Sequence, residues 1–472
     1  MKKFSLFLLL ASSLSLLDSC GGGGGGTTTT PATHFSVSSP ANIPIGMPFN
    51  FTVNALDASN QTVTSYSGTV HFTSTDPHAL LPADSMLQSG VEIFSATLTT
   101  AGNQMITATD KAASSITGSS NSINIGAAPD AFPVEWFGAK GDGVTDDTGA
   151  IQSTINAAVA AGGGSVVFKV ARYFTTGSLV VPTGVVLCGA VEGPFDVAGV
   201  NPATTAIAPT LLVTNTSAPF ITLNGHGTGV TDLLFHYPNQ VKTSASTPIV
   251  YPYTIAANFP ATKVVRSTVT NAYNFLDLES VAQGSGRVIA QDLFIGAFNI
   301  GVHIDHTYDF TALNNLHNGV FWDEVEGASY PTTIDTWVLN NGTALVVTRM
   351  DSLELHDFYV FSRFAGILLT DSPDTTLNPR CGWGSGSNVD LETVQYGIIA
   401  TSATGQAYKF TNLQVGAASG AQAAVQLRAG GSCPPDILIN GGSVRGTWAL
   451  GAFPTPQAGN LTHVNIIGSD LP

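Results

Sequence analysis

Apolar and polar positions alternate along the first part of the chain, from His34 to about Ile125. Runs such as "HFSVSS", "FNFTVNALD" and "GTVHFTST" place every second side chain on one face, and segments rich in Ser, Asn, Gly and Pro separate them. This period of two residues predicts half-buried β-strands joined by turns. We therefore expect an antiparallel β-sandwich over residues 34–126, and we assign it no catalysis because no acids or bases cluster there.

The pattern becomes helical for one segment after "GAAPDAFPV". Apolar residues then recur at helical spacing, at Ile151, Ile155, Ala158 and Val159. Thr145 precedes them as a candidate N-cap, with Asp146 and Asp147 in a first turn where carboxylates are favourable. Because such a helix would cover the open end of a stack of strands, these two aspartates and Asp142 are interpreted as capping residues rather than catalytic ones.

Further along the chain, apolar runs that begin with glycine recur at intervals close to one solenoid coil. They start at Gly301, Gly319, Gly342, Gly366 and Gly397. Aligning the runs on their glycines stacks equivalent positions about one strand spacing apart, ~4.8 Å. The last interval also contains "DSPDTTLNPRCGWGSGS", which we expect to project as a loop over one face.

Composition supports a chain of many short strands and tight turns. The 472 residues are 43% hydrophobic, include 50 glycines and 25 prolines, and are only 10% charged, which disfavours long helices. The formal net charge of −16 argues against nucleic-acid partners, because no basic stripe is present to neutralise phosphates. It also disfavours polyanionic substrates unless the 16 Lys and Arg residues are concentrated in one groove.

Residues 1–20 predict a secretion signal, because two lysines precede the apolar run "FSLFLLLASSLSLL", which is too short to span a membrane. The end "LDSC" resembles a bacterial lipobox, whose cysteine is acylated, although Asp18 departs from the usual small or apolar residue. Residues 21–33, "GGGGGGTTTTPAT", predict a flexible tether. We expect an exported outer-membrane or cell-surface lipoprotein anchored in the membrane through Cys20, and otherwise a periplasmic or secreted protein.

The remaining cysteines fall into two kinds. Cys381 and Cys433 lie in loops rich in Gly and Pro, and export permits a disulfide between them. Cys188 lies within the apolar strand "GVVLCGA" and is expected to be a buried small apolar residue.

Four segments in order resemble the beginning of the pectate-lyase-like superfamily, which includes rhamnogalacturonases, polygalacturonase relatives and phage tailspikes. They are "FGAKGDGVTDDT", the amphipathic stretch to Ala161, "GGGSVVF" and "LVVPTGVVLCG". The resemblance implies an all-β chain with a right-handed parallel β-helix over residues 130–472. Residues 34–126 resemble the immunoglobulin-like modules of bacterial surface proteins, which usually act as spacers.

The glycine alignment brings polar side chains to strand ends on adjacent coils. The predicted catalytic residues are Asp305, Asp323, Glu324 and His306. Glycoside hydrolysis needs one protonated carboxyl group as the acid and a second carboxylate as nucleophile or base, and crowding of like charges raises the pKa of one member. Asp305 and Asp323 are the expected pair, in either order. The alternative stays open that these are turn residues whose side chains bond to their own backbone.

Substrate contacts are predicted for residues near this ladder. They are His303, Arg349, Asp371, Tyr308, Tyr330 and Trp383. The aromatic residues among them are candidate platforms for the apolar face of a sugar ring.

These features lead us to expect a surface-anchored polysaccharide-degrading enzyme, a glycoside hydrolase of the polygalacturonase- or rhamnogalacturonase-like type. The segment "HIDH" resembles one of pectate lyases, but the arginine-containing motif of those enzymes is not visible in the sequence. The segment "GHG" at residues 225–227 resembles one polygalacturonase motif, but the other motifs of polygalacturonases do not accompany it. A polysaccharide lyase of the same fold and a noncatalytic glycan-binding or adhesive surface protein remain the alternatives. We expect no metal or other cofactor, with calcium only for a lyase, and the oligomeric state stays open.

Overall fold

The computed structural model describes most of the chain beyond the first 29 residues. The described ranges are 30–126, 130–197, 199–240, 247–279, 287–307, 310–319, 332–376, 381–401, 408–418, 420–428, 436–445 and 463–467. The secretion signal, Cys20 and most of the tether lie outside these ranges and stay predictions. Within the ranges, no helix combines the length and the apolar character needed to cross a membrane.

Residues 30–126 form a β unit of their own, which we call the N-terminal unit. Its strands are β1 (His34–Ser38), β2 (Asn42–Pro44), β3 (Pro48–Leu56), β4 (Thr69–Ser74), β5 (Ser85–Met86), β6 (Val91–Thr97), β7 (Gly102–Gln104), β8 (Ile106–Asp110), β9 (Thr117–Ser119) and β10 (Ile123–Gly126). They pair in the orders β1-β3-β6, β5-β4-β8-β9 and β2-β10-β7, and every pair is antiparallel except the one between β2 and β10. The rings of Phe51, Phe72 and Phe94 meet in one core, with 4.7 Å between the centroids of Phe72 and Phe94. The predicted alternation is confirmed, and the likeness to an immunoglobulin-like sandwich stays a prediction.

From residue 131 onward the strands pair in parallel and wind into a β-helix. The strands are β11 (Ala131–Pro133), β12 (Asp142–Asp146), β13 (Gly164–Phe168), β14 (Ala171–Thr175), β15 (Leu179–Pro182), β16 (Val185–Gly189), β17 (Pro209–Val213), β18 (Ile221–Asn224), β19 (Gly229–Thr231), β20 (Leu234–His236), β21 (Tyr253–Ala257), β22 (Lys263–Glu279), β23 (Val288–Asp305), β24 (Thr311–Gly319), β25 (Thr343–Val347), β26 (Leu353–Leu369), β27 (Gly384–Ala400), β28 (Tyr408–Ala417), β29 (Ala423–Leu427), β30 (Asp436–Arg445) and β31 (His463–Ile467). Between them lie a 3-10 helix (Val134–Phe137) and two α-helices, α1 (Thr148–Ala160) and α2 (Thr333–Asn341).

Each full coil contributes one segment to each of three parallel sheets. Sheet A contains β13, β16 and β19 and continues through the first parts of β22, β23, β24, β26, β27, β28 and β30. Sheet B contains β14, β17 and β20 and continues through later parts of the same long strands. Sheet C contains β15, β18 and β21, the ends of β22 and β23, then β25, the ends of β26 and β27, and β29. The predicted parallel β-helix is therefore confirmed by the strand register.

Inward-pointing aliphatic side chains stack along each sheet. In sheet C the stack is Leu179, Ile221, Ile255, Leu276, Val302, Leu345, Ile367, Ile398 and Val425, none more than 3% exposed. Full burial of one such side chain contributes about 1.5–3 kcal/mol. This regular core fixes which residues of sheet C point outward.

Left-handed residues form the corner between sheets A and B. They are Asp232, Arg266, Asp292, Asn315, Asp357, Asn388, Asn412 and Gly441, with φ between +46° and +74°. Asn and Asp tolerate this conformation better than most residues. Their side chains also bond between coils, as where Asn315 Nδ2 donates to Asp292 Oδ1 at 2.7 Å. The corner therefore needs no inserted loop, and the strand assignments of β22, β23, β26 and β27 run through it.

Helix α1 covers the first coils, as predicted, but it begins later than expected. Ile151, Ile155 and Ala158 are fully buried in the core of the β-helix, whereas Val159 is 40% exposed. Thr145 is not the N-cap, because it belongs to β12, which pairs with β14.

The aspartates before α1 accept hydrogen bonds from backbone N–H groups and do not form a reactive cluster. Asp147 accepts from the N–H groups of Lys140 and Gly141, at 2.6 and 3.1 Å. Asp142 accepts from Thr145 and Val144, and these bonds hold its pKa at about 2. The interpretation of these carboxylates as structural agrees with this geometry.

Candidate active site

Two titratable side chains meet on the outer face of sheet C. Asp277 in β22 and His303 in β23 occupy paired positions on adjacent coils, between inward-pointing aliphatic neighbours in each strand. Nδ1 of His303 lies 2.7 Å from Oδ1 of Asp277. The side chains of His303 and Asp277 are 17% and 16% exposed, so the pair is largely shielded from water but still accessible from solvent. A carboxylate in this position orients the imidazole ring, which suits the ring for proton transfer.

The row of outer positions that contains this pair is otherwise uncharged. Ala256 precedes Asp277 on the previous coil, and Val346 and Leu368 follow His303 on the next two coils. A neighbourhood of low polarity strengthens the interaction between the imidazole and the carboxylate.

One aromatic side chain stacks on the pair, and two others lie at the start of sheet C. The ring of Tyr253 stacks on His303, with 6.3 Å between centroids and 22° between planes. Trp337 of α2 lies 6.0 Å from Tyr273, and α2 itself packs on Phe298, in the bend of β23 between sheets B and C. A capping box at Thr332 and Asp335 fixes the start of α2. The outer face of sheet C thus carries a His–Asp pair with one aromatic ring, that of Tyr253, stacked on the imidazole.

Asp305 lies at the end of β23 and is fully buried. Its Oδ1 accepts from the backbone N–H groups of His306 and Arg349, at 2.9 and 3.2 Å. Its Oδ2 accepts from the hydroxyl of Ser372 at 2.8 Å. A carboxylate with three donors and no exposed surface is suited to holding a corner. The geometry therefore supports turn chemistry, the alternative that the sequence left open, and catalysis by Asp305 stays a prediction.

His306 continues this corner in a left-handed conformation, with φ of 51°. Its Nε2 lies 3.0 Å from Oδ2 of Asp374, and Thr376 also donates to the Asp374 carboxylate. These partners, His306 foremost, hold the pKa of Asp374 at about 2. Arg349 is mostly buried and pairs with Asp351. The corner between sheets C and A is thus a network in which most charges already have partners.

The glycine alignment is only partly right. Val302 pairs with Leu345, Leu345 with Ile367, and Ile367 with Ile398, so the runs at Gly301, Gly366 and Gly397 do stack. The run at Gly342 is shifted by two residues. Gly319 lies in sheet B opposite Phe361, because the next coil reaches sheet C only after α2. The expected stacking of Asp305 on Asp323 rested on aligning Gly301 with Gly319, and that alignment is wrong.

The structure brings together part of the predicted site. Asp305, His306 and Arg349 share one corner, and Asp371 follows sheet C two coils after His306. His303 points to the outer face instead. Tyr308, Asp323, Glu324 and Tyr330 lie outside the described residues, and their roles stay predictions.

Trp383 is half-buried just before β27, at the start of sheet A. It borders a cleft of about 380 Å³ together with Glu354, Ser385 and Lys409. It therefore remains a candidate platform, on a different sheet from the His303 pair.

The cysteines agree partly with expectation. Cys381 is buried and disulfide-bonded, and its expected partner Cys433 lies outside the described residues, so the pairing stays a prediction. Cys188 is a free thiol that is half-buried rather than part of the core, and burial raises its pKa.

Sequence reasoning missed Asp277 and Tyr253. The glycine runs began at Gly301 and so excluded the coil before it. A signal was present, because Leu276-Asp277-Leu278 repeats the pattern of Val302-His303-Ile304 at a distance of 26 residues. One polar side chain between two buried aliphatic ones marks an outward position on a solenoid strand.

In the part of the chain that the structure describes, no three His, Cys, Asp or Glu side chains are grouped in a way that could hold a metal ion. Calcium stays an expectation tied to lyase chemistry.

Residues 131–344 match the family model described as "Rhamnogalacturonase A/epimerase, pectate lyase-like". This segment contains Tyr253, Asp277, His303 and Asp305, and the match supports the pectate-lyase-like β-helix superfamily for it. The predicted resemblance is confirmed to that extent.

Curated relatives match over short stretches. Mannuronan C5-epimerase AlgE5 of Azotobacter vinelandii is 54% identical over 46 residues, which is 10% of this chain and 5% of that protein. Alginate lyase 7 of the same organism is 44% identical over 69 residues, which is 13% of this chain and 8% of that protein. The chain therefore spans less than a tenth of the length of these relatives.

Among solved structures, the hyperthermoactive exopolygalacturonase of Thermotoga maritima is similar with a TM-score of 0.40 and 10% identity, over 67% of this chain and 84% of that one. The β-helix is defined by the strand register of the present chain and not by this likeness.

Proposed function

We propose that the protein acts on a polysaccharide at the outer face of sheet C, with His303 as the proton-transferring group and Asp277 as the residue that orients it. The observation that carries the proposal is the 2.7 Å contact between His303 Nδ1 and Asp277 Oδ1, inside the segment that matches the family. Tyr253, stacked on the imidazole, is the nearest aromatic contact for a sugar.

The described geometry favours removal of a ring proton over hydrolysis. Hydrolysis needs two carboxyl groups on opposite sides of the scissile bond. In the described structure Asp277 is committed to His303, and Asp305 is buried. A base can instead remove the proton from the ring carbon that bears the carboxyl group of a uronate. The electron pair then expels the glycosidic oxygen, which gives a lyase, or the carbon is reprotonated on the other face, which gives an epimerase.

Glycoside hydrolysis is the second candidate. It is favoured by the acidic pair Asp323 and Glu324, which follows β24 in the sequence and would have to supply the carboxylates. The proposal also includes export and membrane anchoring through Cys20, with the N-terminal unit as a spacer. Loss of membrane association in a Cys20→Ser variant of the full chain tests that part.

The purified protein incubated with alginate, polygalacturonate, rhamnogalacturonan and neutral glycans tests the reaction. We expect new ends that absorb in the ultraviolet, or inversion at the carboxyl-bearing carbon by NMR, with wild type and not with His303→Ala. If reducing ends form without new ultraviolet absorbance, the reaction is hydrolysis and not elimination. No product from any polymer would leave a noncatalytic glycan-binding or adhesive protein as the remaining function.

A further inference from the structure

A separate cleft opens between the N-terminal unit and the capped end of the β-helix. Its volume is about 500 Å³, within the range of small-ligand sites, about 300–1,000 Å³. Leu80, Thr97 and Thr99 of the N-terminal unit form one wall. Trp136, Ser153 and Asn156, from the 3-10 helix and α1, form the other.

Trp136 lines this cleft and is one of the exposed large apolar side chains. The side chain is 52% exposed, and Phe259 at 36% is the other aromatic residue among the exposed large apolar side chains that the structure describes. Trp136 belongs to the 3-10 helix, which starts at buried Val134 and ends at left-handed Gly138. An exposed indole is a stacking surface for the C–H-rich face of a sugar ring.

Polar groups beside Trp136 keep hydrogen-bonding capacity for a ligand. Ser153 donates to the carbonyl of Gly149 at 2.8 Å, and Thr99 donates to that of His78 at 3.2 Å, so both hydroxyl oxygens can still accept. Asn156 accepts at Oδ1 from Gln152 at 3.1 Å, which leaves its amide N–H groups as donors. Sugar hydroxyl groups both donate and accept, so they complement this set.

Charge decides which sugars fit. Within the described part of the chain, none of the residues that line the cleft is charged. A uronate would leave its carboxylate without a cationic partner, whereas a neutral sugar buries only hydroxyl groups that find partners.

We propose that this cleft binds a neutral saccharide unit, with the ring stacked on Trp136 and hydroxyl groups bound by Asn156, Ser153 and Thr99. The site shares no residue with sheet C, so the inference does not rest on the proposed function. It would hold the protein on a glycan while another part of the molecule acts.

Affinity electrophoresis and titration calorimetry of the full chain with galactomannan, arabinoxylan, mixed-linkage β-glucan and polygalacturonate test the site. We expect at least one neutral polymer to retard wild type. Trp136→Ala weakens that binding by at least ~tenfold, and Trp136→Phe restores most of it. Val159→Ala, an exposed apolar residue of α1 that does not line the cleft, serves as the matched control and binds like wild type.

His303→Ala also binds like wild type, so loss of the proposed activity and loss of this site are measured separately. Equal binding by Trp136→Ala and wild type would overturn the proposal. So would the absence of binding to every neutral polymer, or a preference for polygalacturonate through Trp136. A thermal unfolding curve for each variant shows that a change in binding does not come from misfolding.

Discussion

His303 and Asp277 contact each other across adjacent coils of sheet C, with 2.7 Å between Nδ1 of the imidazole and Oδ1 of the carboxylate. The parallel register creates this contact, because the two residues are 26 positions apart in the sequence. The pair lies on an outer face with the ring of Tyr253 stacked on the imidazole, whereas Asp305 is buried in a corner. The carboxylates of Asp277 and Asp305 therefore lie in different environments.

Asp277→Asn removes the charge that orients the imidazole while it keeps the shape of the side chain. We expect kcat/KM on the polysaccharide substrate to fall by about 10²-fold or more, in the range found for positioned acid–base groups. The melting temperature should change less than the activity, because the Asn side chain keeps an oxygen that can accept a hydrogen bond from His303. Asp390→Asn, at an outward position of sheet B, is the control and should retain activity. If the Asp277→Asn variant keeps full activity, Asp277 is not part of the active site.

Asp305→Ala leaves three donors at the corner between sheets C and A without their acceptor. We expect a loss of about 3 kcal/mol of stability, because hydrogen bonds to a buried charge are lost together. Ser372→Ala removes one of the donors and should cost about 1 kcal/mol. Differential scanning calorimetry measures both. An Asp305→Ala variant that melts like wild type but has no activity would instead make Asp305 catalytic.

Gly301→Ala tests the close packing behind the site. A Cβ at this position would lie 1.8 Å from Nδ2 of Asn318 and 2.5 Å from the carbonyl oxygen of Ala344. We expect destabilisation of about 1–3 kcal/mol, because the neighbours must move to make room. Gly149→Ala in α1 is the matched control, since no atom lies within 4 Å of its added Cβ. It should be neutral, or stabilising by up to about 1 kcal/mol. A melting temperature of Gly301→Ala equal to that of wild type would contradict the register around Gly301.

His317 on the outer face of sheet B predicts a pH dependence of stability. It lies between the rings of Phe294 and Tyr359, and burial lowers its pKa. The unfolded chain then binds a proton at His317 more readily than the folded chain does. The stabilising contribution of neutral His317 is therefore fully present above the unfolded pKa near 6.5. It is lost as the pH falls through the lower folded value.

Melting curves of wild type and His317→Phe at several pH values from neutral to acidic measure this contribution. We expect the melting temperature of wild type to fall more steeply on the acid side than that of the variant. Identical pH dependence in the two proteins would show that His317 is not the group responsible.

Periodicity in the sequence predicted the strands and the first helix, whereas the parallel β-helix followed from the resemblance of the segment after residue 133 to the pectate-lyase-like superfamily. The alternation before Ile125, the helical stripe at Ile151 and Ile155, and the aliphatic runs that form sheet C all reflect local rules of burial. Helix α1 was placed correctly except for its start, which depended on a strand pairing of residues 142–146 that the local pattern does not reveal.

The candidate site was less accessible to sequence reasoning. Glycine spacing misaligned the runs at Gly319 and Gly342, because one coil crosses from sheet B to sheet C through α2. Asp305 is buried and accepts a hydrogen bond from Ser372, which is 67 residues later. Such cover arises from long-range contacts, and no local pattern around Asp305 indicates it.

Three histidines point outward from the three sheets: His303 on sheet C, His317 on sheet B and His356 on sheet A. Comparing their variants tests whether the active site lies on sheet C. The measurement is the initial rate of product formation on the best polysaccharide substrate for each His→Ala variant, with a melting curve for each. We predict that His303→Ala lowers the rate by about 10²–10⁴-fold, whereas the other two variants keep the rate of wild type. A His303→Ala variant as active as wild type, or an equal loss in all three, would contradict the assignment of the site to sheet C.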